Sequence, residues 1–502
     1  MVEKPEYKEK IDTWVEAHRD EMLEDLKKLI RIPSVKGAPG EGMPYGEMPA
    51  KAILAMQDMM EDYGFRTSNY GMRCIAGDLD AEGEKTLDIL AHLDVVPVSD
   101  SWTKTKPFEP LVEGDRIYGR GTSDDKGPAI AALYAMRCVR ELGLNLKNGV
   151  RLICGSDEEC GSDDLRYYYR QEKEALYTFS PDADYPLIHI EKGRLKKRFH
   201  AAGSLSGATE EGKKQDAGLP VSTEAGKKPG GIFLRRIHAG DTSNIVPGTG
   251  ILVLSGVQGN EPGEAAKKAQ LLTGGTYSWE TDGEICVVTA KGESAHAASP
   301  ETGINAATMI LSFLSCLNVE PDSGTRILDR IGTLWPHGMS GGEGLGVSCS
   351  DQESGALTIS LDILNYEVSE DGRSFSLEGT FDCRAPLCCN DRNLTDRIRA
   401  RLEEAGLQME EGGMTPGHYV SADSELVRKL LESYELYFGK KGKPVAIGGG
   451  TYVHNLERGV AFGCAVPEVD NCMHGDDEFM EIPMLLKSTK IFADAILRLC
   501  GG

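Results

Sequence analysis

The chain has 502 residues, of which 40% are hydrophobic and 27% are charged, and its net charge of −24 gives a sequence pI near 4.9. This length exceeds one ordinary hydrophobic core, so we expect two or three domains. The acidic balance argues against nucleic acid or an anionic membrane surface as a partner, and no apolar run approaches the roughly 20 residues that would cross a bilayer.

The cysteines and the N-terminus bear on the cellular compartment. The 13 cysteines are an odd number and contain no CxxC pair. This pattern disfavours a disulfide framework and favours a reducing compartment. Residues 1–12 are charged and contain no apolar core of signal-peptide length. We therefore expect a cytoplasmic protein.

The chain up to Gly193 alternates between helical and strand-like segments. Apolar side chains at helical spacing predict helices, and short apolar runs predict buried strands. This alternation predicts an α/β fold with a mixed, mostly parallel sheet flanked by helices, whose functional groups lie at the carboxyl ends of the strands. The predicted helices are 5–30, 48–63 and 129–142, and the predicted strands are 65–75, 86–91 and 150–154.

Beyond Gly193 the pattern changes to alternating β runs with two helices, which predicts an inserted α+β domain with an antiparallel sheet. Residues 193–419 form this insertion, and residues 1–192 plus 420–502 form the first domain. Residues 203–231, rich in Gly, Ser, Lys and Glu, are predicted to be a solvated, mobile loop. The predicted elements are strands 232–238, 250–257, 284–290, 356–366 and 374–382 with helices 304–317 and 393–405, then helix 424–438, strand 461–463 and helix 484–499 of the first domain.

An acidic loop at residues 119–128 is the stretch around which the other polar groups are arranged. Its adjacent Asp124 and Asp125 lie between glycines, and we expect the flanking Arg120 and Lys126 to balance part of their charge. Taken alone, the loop is equally well interpreted as a surface turn. Further carboxylates and imidazoles lie at the ends of other apolar segments of the same domain. This position favours a metal site formed by residues from several strand ends.

The candidate ligands are two imidazoles and three carboxylates. This set suits zinc, or manganese or cobalt, and divides into two metals that share one bridging carboxylate. Two cations about 3.5–4 Å apart could polarise a carbonyl and share a hydroxide. The candidate ligands are His92, Asp124, Glu159, Asp182 and His474.

Two acidic residues beside these ligands are candidates for supporting roles. Glu158, next to a ligand, is placed to act as the general base, because the base cannot itself be a ligand. Asp94 could orient the His92 imidazole. Each residue also has an ordinary interpretation as a surface pair, a turn former or a strand end. If every ordinary interpretation were correct, all of these residues would lie at the ends of apolar segments of one domain by chance.

Six short segments of the chain form a recognisable set: HLDVVP (92–97), GRGTSDDKGP (119–128), SDEECGS (156–162), PDADYP (181–186), SAHA (294–297) and His474-Gly475. In their order and separations they resemble the M20 metallopeptidases. Three further segments, EKG at 191–193, SPETGINAA at 299–307 and GGGTYVHNLERGVAFG at 448–463, resemble the dipeptidases of the PepV type within that family.

The resemblance implies a zinc-exopeptidase-like fold, with 1–192 plus 420–502 as the metal-binding catalytic domain and 193–419 as an inserted lid domain. It implies a cis peptide bond after Asp124. His454 departs from the residue that related dipeptidases often carry, which leaves the side-chain preference open. The implied roles are His92 and Asp182 on one metal, Glu159 and His474 on the other, Asp124 bridging, Glu158 as general base with Asp94 as its companion, His296 polarising the scissile carbonyl, and Asn244, Arg384 and Gly449 binding substrate.

The expected function is that of a cytosolic dinuclear-metal dipeptidase. It would hydrolyse dipeptides or short peptides with a free amino terminus by a metal-bridging hydroxide, using two divalent ions, Zn²⁺ or alternatively Mn²⁺ or Co²⁺. We expect a monomer, because the insertion is large enough to place His296 over its own site. Two alternatives stay open: an N-acyl amino acid amidohydrolase, and a catalytically inactive metal-binding protein of the same fold, which would have no need of Glu158.

Overall fold

The computed structural model describes residues 5–205 and 231–501, and the chain forms two compact units. The first unit comprises Met1–Glu191 and His418–Gly502, and the second comprises Lys192–Gly417. Most of the predicted mobile loop at 203–231 lies outside the described residues. Its first two residues do not belong to a loop, because they end the strand Gly193–Ser204.

A mixed sheet forms the middle of the first unit. Parallel pairing holds its central strands together, and antiparallel pairs extend it on both sides. Because parallel strands end at the same edge of a sheet, residues that follow these strands lie close together. The spatial order is Arg66–Tyr70, Cys74–Leu79, Gly149–Gly155, Lys85–His92, Tyr177–Ser180, Gly459–Ala461, Ile188–Glu191 and His418–Tyr419, with Val445–Ile447 also paired to Ile188–Glu191.

Helices cover this sheet and complete the core of the first unit. Every residue from Lys126 to Val139 is buried, and this helix packs against the closing helix of the chain. Gly127 lets the helix begin tightly against the acidic loop, because a Cβ there would lie 2.0 Å from the Thr122 carbonyl oxygen. The helices are Lys8–Ala17, Arg19–Ile30, Glu47–Asp62, Lys126–Glu141, Asp163–Tyr168, Glu425–Phe438 and Ile482–Cys500.

Short elements complete the first unit and carry several of the polar groups considered below. The strands Leu111–Glu113, Arg116–Tyr118 and Phe479–Glu481 form one small sheet, and Ala183–Asp184 pairs with Cys464–Ala465. The 3₁₀ turns Glu158–Cys160 and Tyr452–Asn455 follow strand ends or loops.

Two predicted elements of the first unit are wrong in their continuity. The helix predicted over 5–30 is broken at His18, whose backbone leaves the helical region and whose Nδ1 lies 2.7 Å from the Trp14 carbonyl oxygen. The strand predicted over 65–75 is an antiparallel pair. Its turn is stabilised by the Met72 N–H, which donates to Asn69 Oδ1 at 2.9 Å.

An antiparallel sheet with helices on it forms the second unit. The sequence does not reveal the strands Gly193–Ser204 and Thr276–Asp282, because basic residues in the first strand and exposed polar residues in the second obscure the alternation of apolar and polar positions. The spatial order is Thr276–Asp282, Ile285–Lys291, Thr249–Ser255, Phe233–Ala239, Thr358–Val368, Ser374–Ala385, Gly193–Ser204 and Gln408–Met409. The helices are Glu261–Thr273, Ala306–Ser315, Ser323–Leu334 and Thr395–Glu404, and the two-residue strands are Ile245–Val246, Ala295–His296, Ser350–Asp351 and Gly355–Ala356, with a 3₁₀ turn Pro300–Thr302.

These elements confirm the predicted fold class, a mixed α/β sheet flanked by helices with an inserted α+β unit. Among the described helices, none has both the length and the apolar character that a bilayer span requires.

Candidate metal centre

The five candidate ligands, which lie on five separate segments of the first unit, come together at one edge of its sheet. His92 ends a central strand, and Glu159 and Asp182 follow the two strands beside it. Asp124 lies in the acidic loop just before the helix Lys126–Glu141, and His474 lies in the loop that precedes Phe479–Glu481. The order of the strands therefore brings together residues that are far apart in the sequence.

Asp124 lies between the two imidazoles, with one carboxylate oxygen facing each. Its Oδ1 is 2.9 Å from Nε2 of His92, and its Oδ2 is 2.7 Å from Nε2 of His474. Glu159 Oε1 is 3.3 Å from the same nitrogen of His474, and Asp182 Oδ2 is 3.8 Å from Nε2 of His92. The Asp124 carboxylate is therefore shared by two groups of candidate ligands. One group is His92 with Asp182, and the other is His474 with Glu159.

Two buried atoms of this cluster have unmet bonding capacity. Among the described residues, His92 Nε2 and Glu159 Oε1 make no hydrogen bond of acceptable geometry, although charged groups lie near them. Buried polar atoms in native proteins are nearly always satisfied, so these two atoms indicate a missing partner. The ligand atoms of His92, Asp124 and Glu159 also lie within 4.8 Å of one another. The residues present therefore fit a divalent cation bound by nitrogen and oxygen.

The pKa values describe the same cluster without a cation. The nearby carboxylates of Asp124 and Glu159 raise the pKa of His474 to about 11. Burial opposes protonation of His92, but its acidic neighbours outweigh burial and raise its pKa well above the usual range. Burial and the nearby Asp124 charge raise the pKa of Asp182 to about 7. Without metal, protons on the imidazoles supply the positive charge that the carboxylates require.

We expect metal uptake at neutral pH to release protons. Both imidazoles hold a proton without metal because their pKa values are raised, and they must be neutral to bind a cation, so metal affinity falls as the pH falls. Adding Mn²⁺, which prefers oxygen ligands to thiolates, to metal-free protein in weak buffer with a pH indicator measures the release. His474→Ala should release fewer protons, and metal uptake without proton release would contradict the assignment.

Glu158 and Asp94 lie directly beside the ligands. Glu158 is half-buried in the 3₁₀ turn, and burial, reinforced by the Asp182 carboxylate, raises its pKa well above the usual range. The Asp94 carboxylate accepts hydrogen bonds from the N–H groups of Glu158 at 3.2 Å and Glu159 at 3.1 Å. It thus fixes the turn that presents both glutamates.

Asp94 also contacts His92, but mainly through its backbone. The Nδ1 of His92 lies 3.1 Å from the Asp94 carbonyl oxygen and 3.5 Å from its carboxylate. Asp125 contributes from the other side, because its carboxylate accepts the His92 N–H at 3.0 Å. The Asp124–Asp125 peptide bond is cis, as the family resemblance implies.

The prediction that Arg120 and Lys126 balance the charge of the acidic pair is wrong. The Arg120 guanidinium donates to Glu478 at 2.6 Å rather than balancing Asp124 or Asp125. Lys126 Nζ donates to the carbonyl oxygens of Leu29 and Ile32, and burial lowers its pKa to about 7. Neither side chain neutralises the acidic pair.

Glu478 is a structural residue of the site that the sequence does not reveal, because it ends an acidic run of the kind that is usually solvated. It is fully buried, and its carboxylate accepts the N–H groups of Gly121 and Ser123 at 3.1 and 2.8 Å. Arg120 in turn donates to the His474 carbonyl oxygen at 3.1 Å. This network ties the loop of Asp124 to the loop of His474.

We expect Glu478→Ala to lower the free energy of unfolding of the first unit by about 3–5 kcal/mol, because it leaves the buried Arg120 charge unpaired. Urea denaturation measures this change. Glu481→Ala is the matched control, since Glu481 is half-exposed and 3.8 Å from Arg116, and it should cost no more than about 1 kcal/mol. Equal effects of the two substitutions would contradict the network.

A loop of the first unit beside the ligands contains Gly449 and His454. Tyr452 in this loop presents its ring edge-on to His92 at 6.1 Å and donates its hydroxyl to Asp164 at 2.5 Å. His454 Nδ1 lies 3.1 Å from the buried Glu191 carboxylate. Gly449 follows the strand Val445–Ile447, and a Cβ there would meet only Ile447 at 3.6 Å, so packing alone does not demand glycine.

The three remaining predicted site residues belong to the second unit and are neighbours within it. His296 is exposed and pairs across a short ladder with Ile245, next to Asn244, whose carbonyl oxygen accepts the Ala297 N–H at 2.9 Å. Arg384 is buried and donates to Asp382 at 2.6 Å. Its cross-strand partner Thr358 donates to the Ala298 carbonyl oxygen at 3.3 Å, which connects the Arg384 strand to the His296 segment.

Comparisons with known proteins show which family and which relatives the chain resembles. The sequence model of peptidase family M20/M25/M40 matches residues 89–498. The chain is 31% identical over 484 residues to the "Putative dipeptidase YtjP" of Bacillus subtilis, with 96% of this chain and 97% of the relative covered. It is 30% identical over 492 residues to "Putative dipeptidase SSP1012" of Staphylococcus saprophyticus, with 97% and 98% covered.

Solved structures share the fold across the full length. The structural alignment with human carnosine dipeptidase 1 covers 99% of this chain and 99% of that chain, with a TM-score of 0.57 and 14% sequence identity. The structural alignment with the dipeptidase Dug1p of Saccharomyces cerevisiae covers 98% of this chain and 98% of that chain, with a TM-score of 0.55 and 11% sequence identity.

Proposed function

Since the chain belongs to peptidase family M20/M25/M40 and is therefore a peptide-bond hydrolase, we propose that it is a cytosolic, monomeric dipeptidase with two divalent cations. The substrates would be dipeptides or short peptides with a free amino terminus. The names of its relatives as dipeptidases support the substrate class. The free state of every cysteine supports a reducing compartment.

The observation that carries the two-cation proposal is the position of Asp124 between His92 and His474. His92 and Asp182 would hold one cation, His474 and Glu159 the other, and Asp124 both. When bound, the cations, Zn²⁺ or alternatively Mn²⁺ or Co²⁺, would lower the pKa of water and polarise the substrate carbonyl. The two sets are alike in charge and donor type, which suits a pair of similar ions.

Glu158 is the chain's own proton carrier in this proposal. It would take a proton from the attacking water and deliver it to the nitrogen of the leaving amine. Burial raises the pKa of Glu158 above the usual range, which strengthens it as a proton acceptor. Asp94 would keep Glu158 in place through the backbone N–H groups of the turn.

The second unit would act as the lid and supply substrate contacts. His296 would donate to the carbonyl oxygen as negative charge develops, a role worth about 10²–10³ in kcat at comparable sites. Asn244 and the guanidinium of Arg384 would bind the substrate, Arg384 through the terminal carboxylate, and the loop at Gly449 would offer backbone contacts. The close packing of the His296, Asn244 and Arg384 segments within one unit supports a shared role.

A matched substrate panel tests the substrate class. A dipeptide, the same dipeptide with an acetylated amino terminus, and an N-acetyl amino acid would be compared at equal concentration. We expect hydrolysis of the free dipeptide at least tenfold faster than of either acetylated compound. Faster cleavage of the N-acetyl amino acid would make the protein an amidohydrolase instead.

A further inference from the structure

A second cluster of potential metal ligands lies in the second unit. Cys349, Cys388 and Cys389 place their sulfur atoms within 4.8 Å of one another, and the sulfurs of Cys349 and Cys389 are 3.2 Å apart. All three carry free thiols. None of them belongs to the peptidase site, whose ligands are imidazoles and carboxylates.

The backbone around these cysteines is held together by contacts that do not involve sulfur. Cys349 precedes the strand Ser350–Asp351, and the other two cysteines follow the strand Ser374–Ala385. The Asp351 carboxylate accepts the Cys388 N–H at 3.2 Å, and Ser354 Oγ accepts the Leu387 N–H at 2.9 Å. Two segments of the chain are thus fixed side by side, so their thiols converge without a ligand.

The spacing of the three sulfurs fits a tetrahedral thiophilic ion. Zinc–sulfur bonds of about 2.3 Å place two sulfur ligands about 3.8 Å apart, between the 3.2 Å that separates the sulfurs of Cys349 and Cys389 and the 4.8 Å within which all three sulfurs lie. A disulfide would use two of the thiols and leave the third unused, whereas a cation uses all three. Cys388 is exposed and Cys349 and Cys389 are half-buried, so water can complete the coordination.

We propose that Cys349, Cys388 and Cys389 form a binding site for one thiophilic cation of the Zn²⁺ class. Thiolate ligands select such ions over Mn²⁺ and Mg²⁺. The site therefore differs in metal preference from the carboxylate-rich peptidase centre, and it does not depend on the peptidase activity. Mn²⁺ would load only the peptidase centre, and Zn²⁺ would load both.

Titration of the full-length, reduced protein with Cd²⁺ tests this site. Cadmium bound to thiolate gives an ultraviolet charge-transfer band that carboxylates and imidazoles do not give, so the band reports on cysteine ligands alone. With the peptidase centre already loaded with Mn²⁺, we expect a band that saturates at one Cd²⁺ per chain, is prevented by prior addition of Zn²⁺ and is unaffected by further Mn²⁺. Absence of a saturable band would overturn the proposal.

Cysteine variants assign the band to these residues. Cys388→Ser removes an exposed thiol and should weaken or abolish the band, and Cys388→Ser with Cys389→Ser should abolish it. Cys316→Ser, a half-buried cysteine elsewhere in the same unit, is the matched control and should keep the band. Thermal melting shows whether each variant is folded. A band that survives the double substitution, or a Cys349–Cys389 disulfide in metal-free protein purified with reductant, would overturn the site.

Discussion

Replacing Glu158 with glutamine is expected to lower kcat for a dipeptide by about 10²–10⁴-fold, the usual contribution of a general acid–base residue. The amide keeps the size of the side chain but cannot accept a proton from water. The turn should persist, because Asp94 holds it through backbone N–H groups that the substitution does not alter. Steady-state kinetics gives kcat, and metal analysis of the same sample gives the bound cations.

The control for this prediction is Glu109→Gln, an exposed glutamate of the same unit, which should leave kcat unchanged. Metal content should equal that of the unmodified protein, since Glu158 is not among the proposed ligands. A Glu158→Gln variant with more than a tenth of the original kcat would exclude Glu158 as the base. Loss of the cations would instead make Glu158 a ligand.

Replacing Asp124 with asparagine is expected to abolish activity and to reduce the bound cations from two per chain to fewer than one. The two carboxylate oxygens of Asp124 lie within 3 Å of both imidazoles, at 2.9 Å from His92 Nε2 and 2.7 Å from His474 Nε2, so its loss removes negative charge from both cation positions. Glu159 Oε1 lies 3.3 Å from His474 Nε2 and Asp182 Oδ2 lies 3.8 Å from His92 Nε2, so neither carboxylate spans the two imidazoles as closely as Asp124 does. Metal analysis and dipeptide hydrolysis measure the two effects.

Asp100→Asn is the control for Asp124, because Asp100 is an exposed aspartate of the same unit. It should keep both cations and full activity. Thermal melting of the metal-free proteins shows whether Asp124→Asn remains folded. Retention of two cations by folded Asp124→Asn would contradict the bridging role.

The sequence predicts that the candidate ligands lie close together, because the features that position them are local in the chain. His92, Glu159 and Asp182 each follow an apolar run, and parallel strands end at one edge of a sheet, so no long-range contact had to be foreseen. The partners of Arg120, Lys126 and Glu478 could not be read in this way. Arg120 and Glu478 are 358 positions apart, and sequence neighbours are poor guides to such pairs.

The predicted element boundaries are wrong where a side chain forms a hydrogen bond with a backbone group and so competes with regular secondary structure. The break at His18 and the turn at Met72 depend on single polar contacts that periodicity does not register. The roles of His296, Asn244 and Arg384 came from the family resemblance alone. The structure places these residues together in the second unit, and their action on substrate stays a prediction.

The most direct test of the central claim is a titration of metal-stripped protein with Mn²⁺ while the hydrolysis of one dipeptide is followed. Mn²⁺ suits the carboxylate-rich centre and avoids thiolates, so the activity reports on the five proposed ligands alone. We predict no hydrolysis without metal and a rise that levels off at two Mn²⁺ per chain. Hydrolysis by the metal-free protein, or full activity with one Mn²⁺ per chain, would contradict the two-cation mechanism.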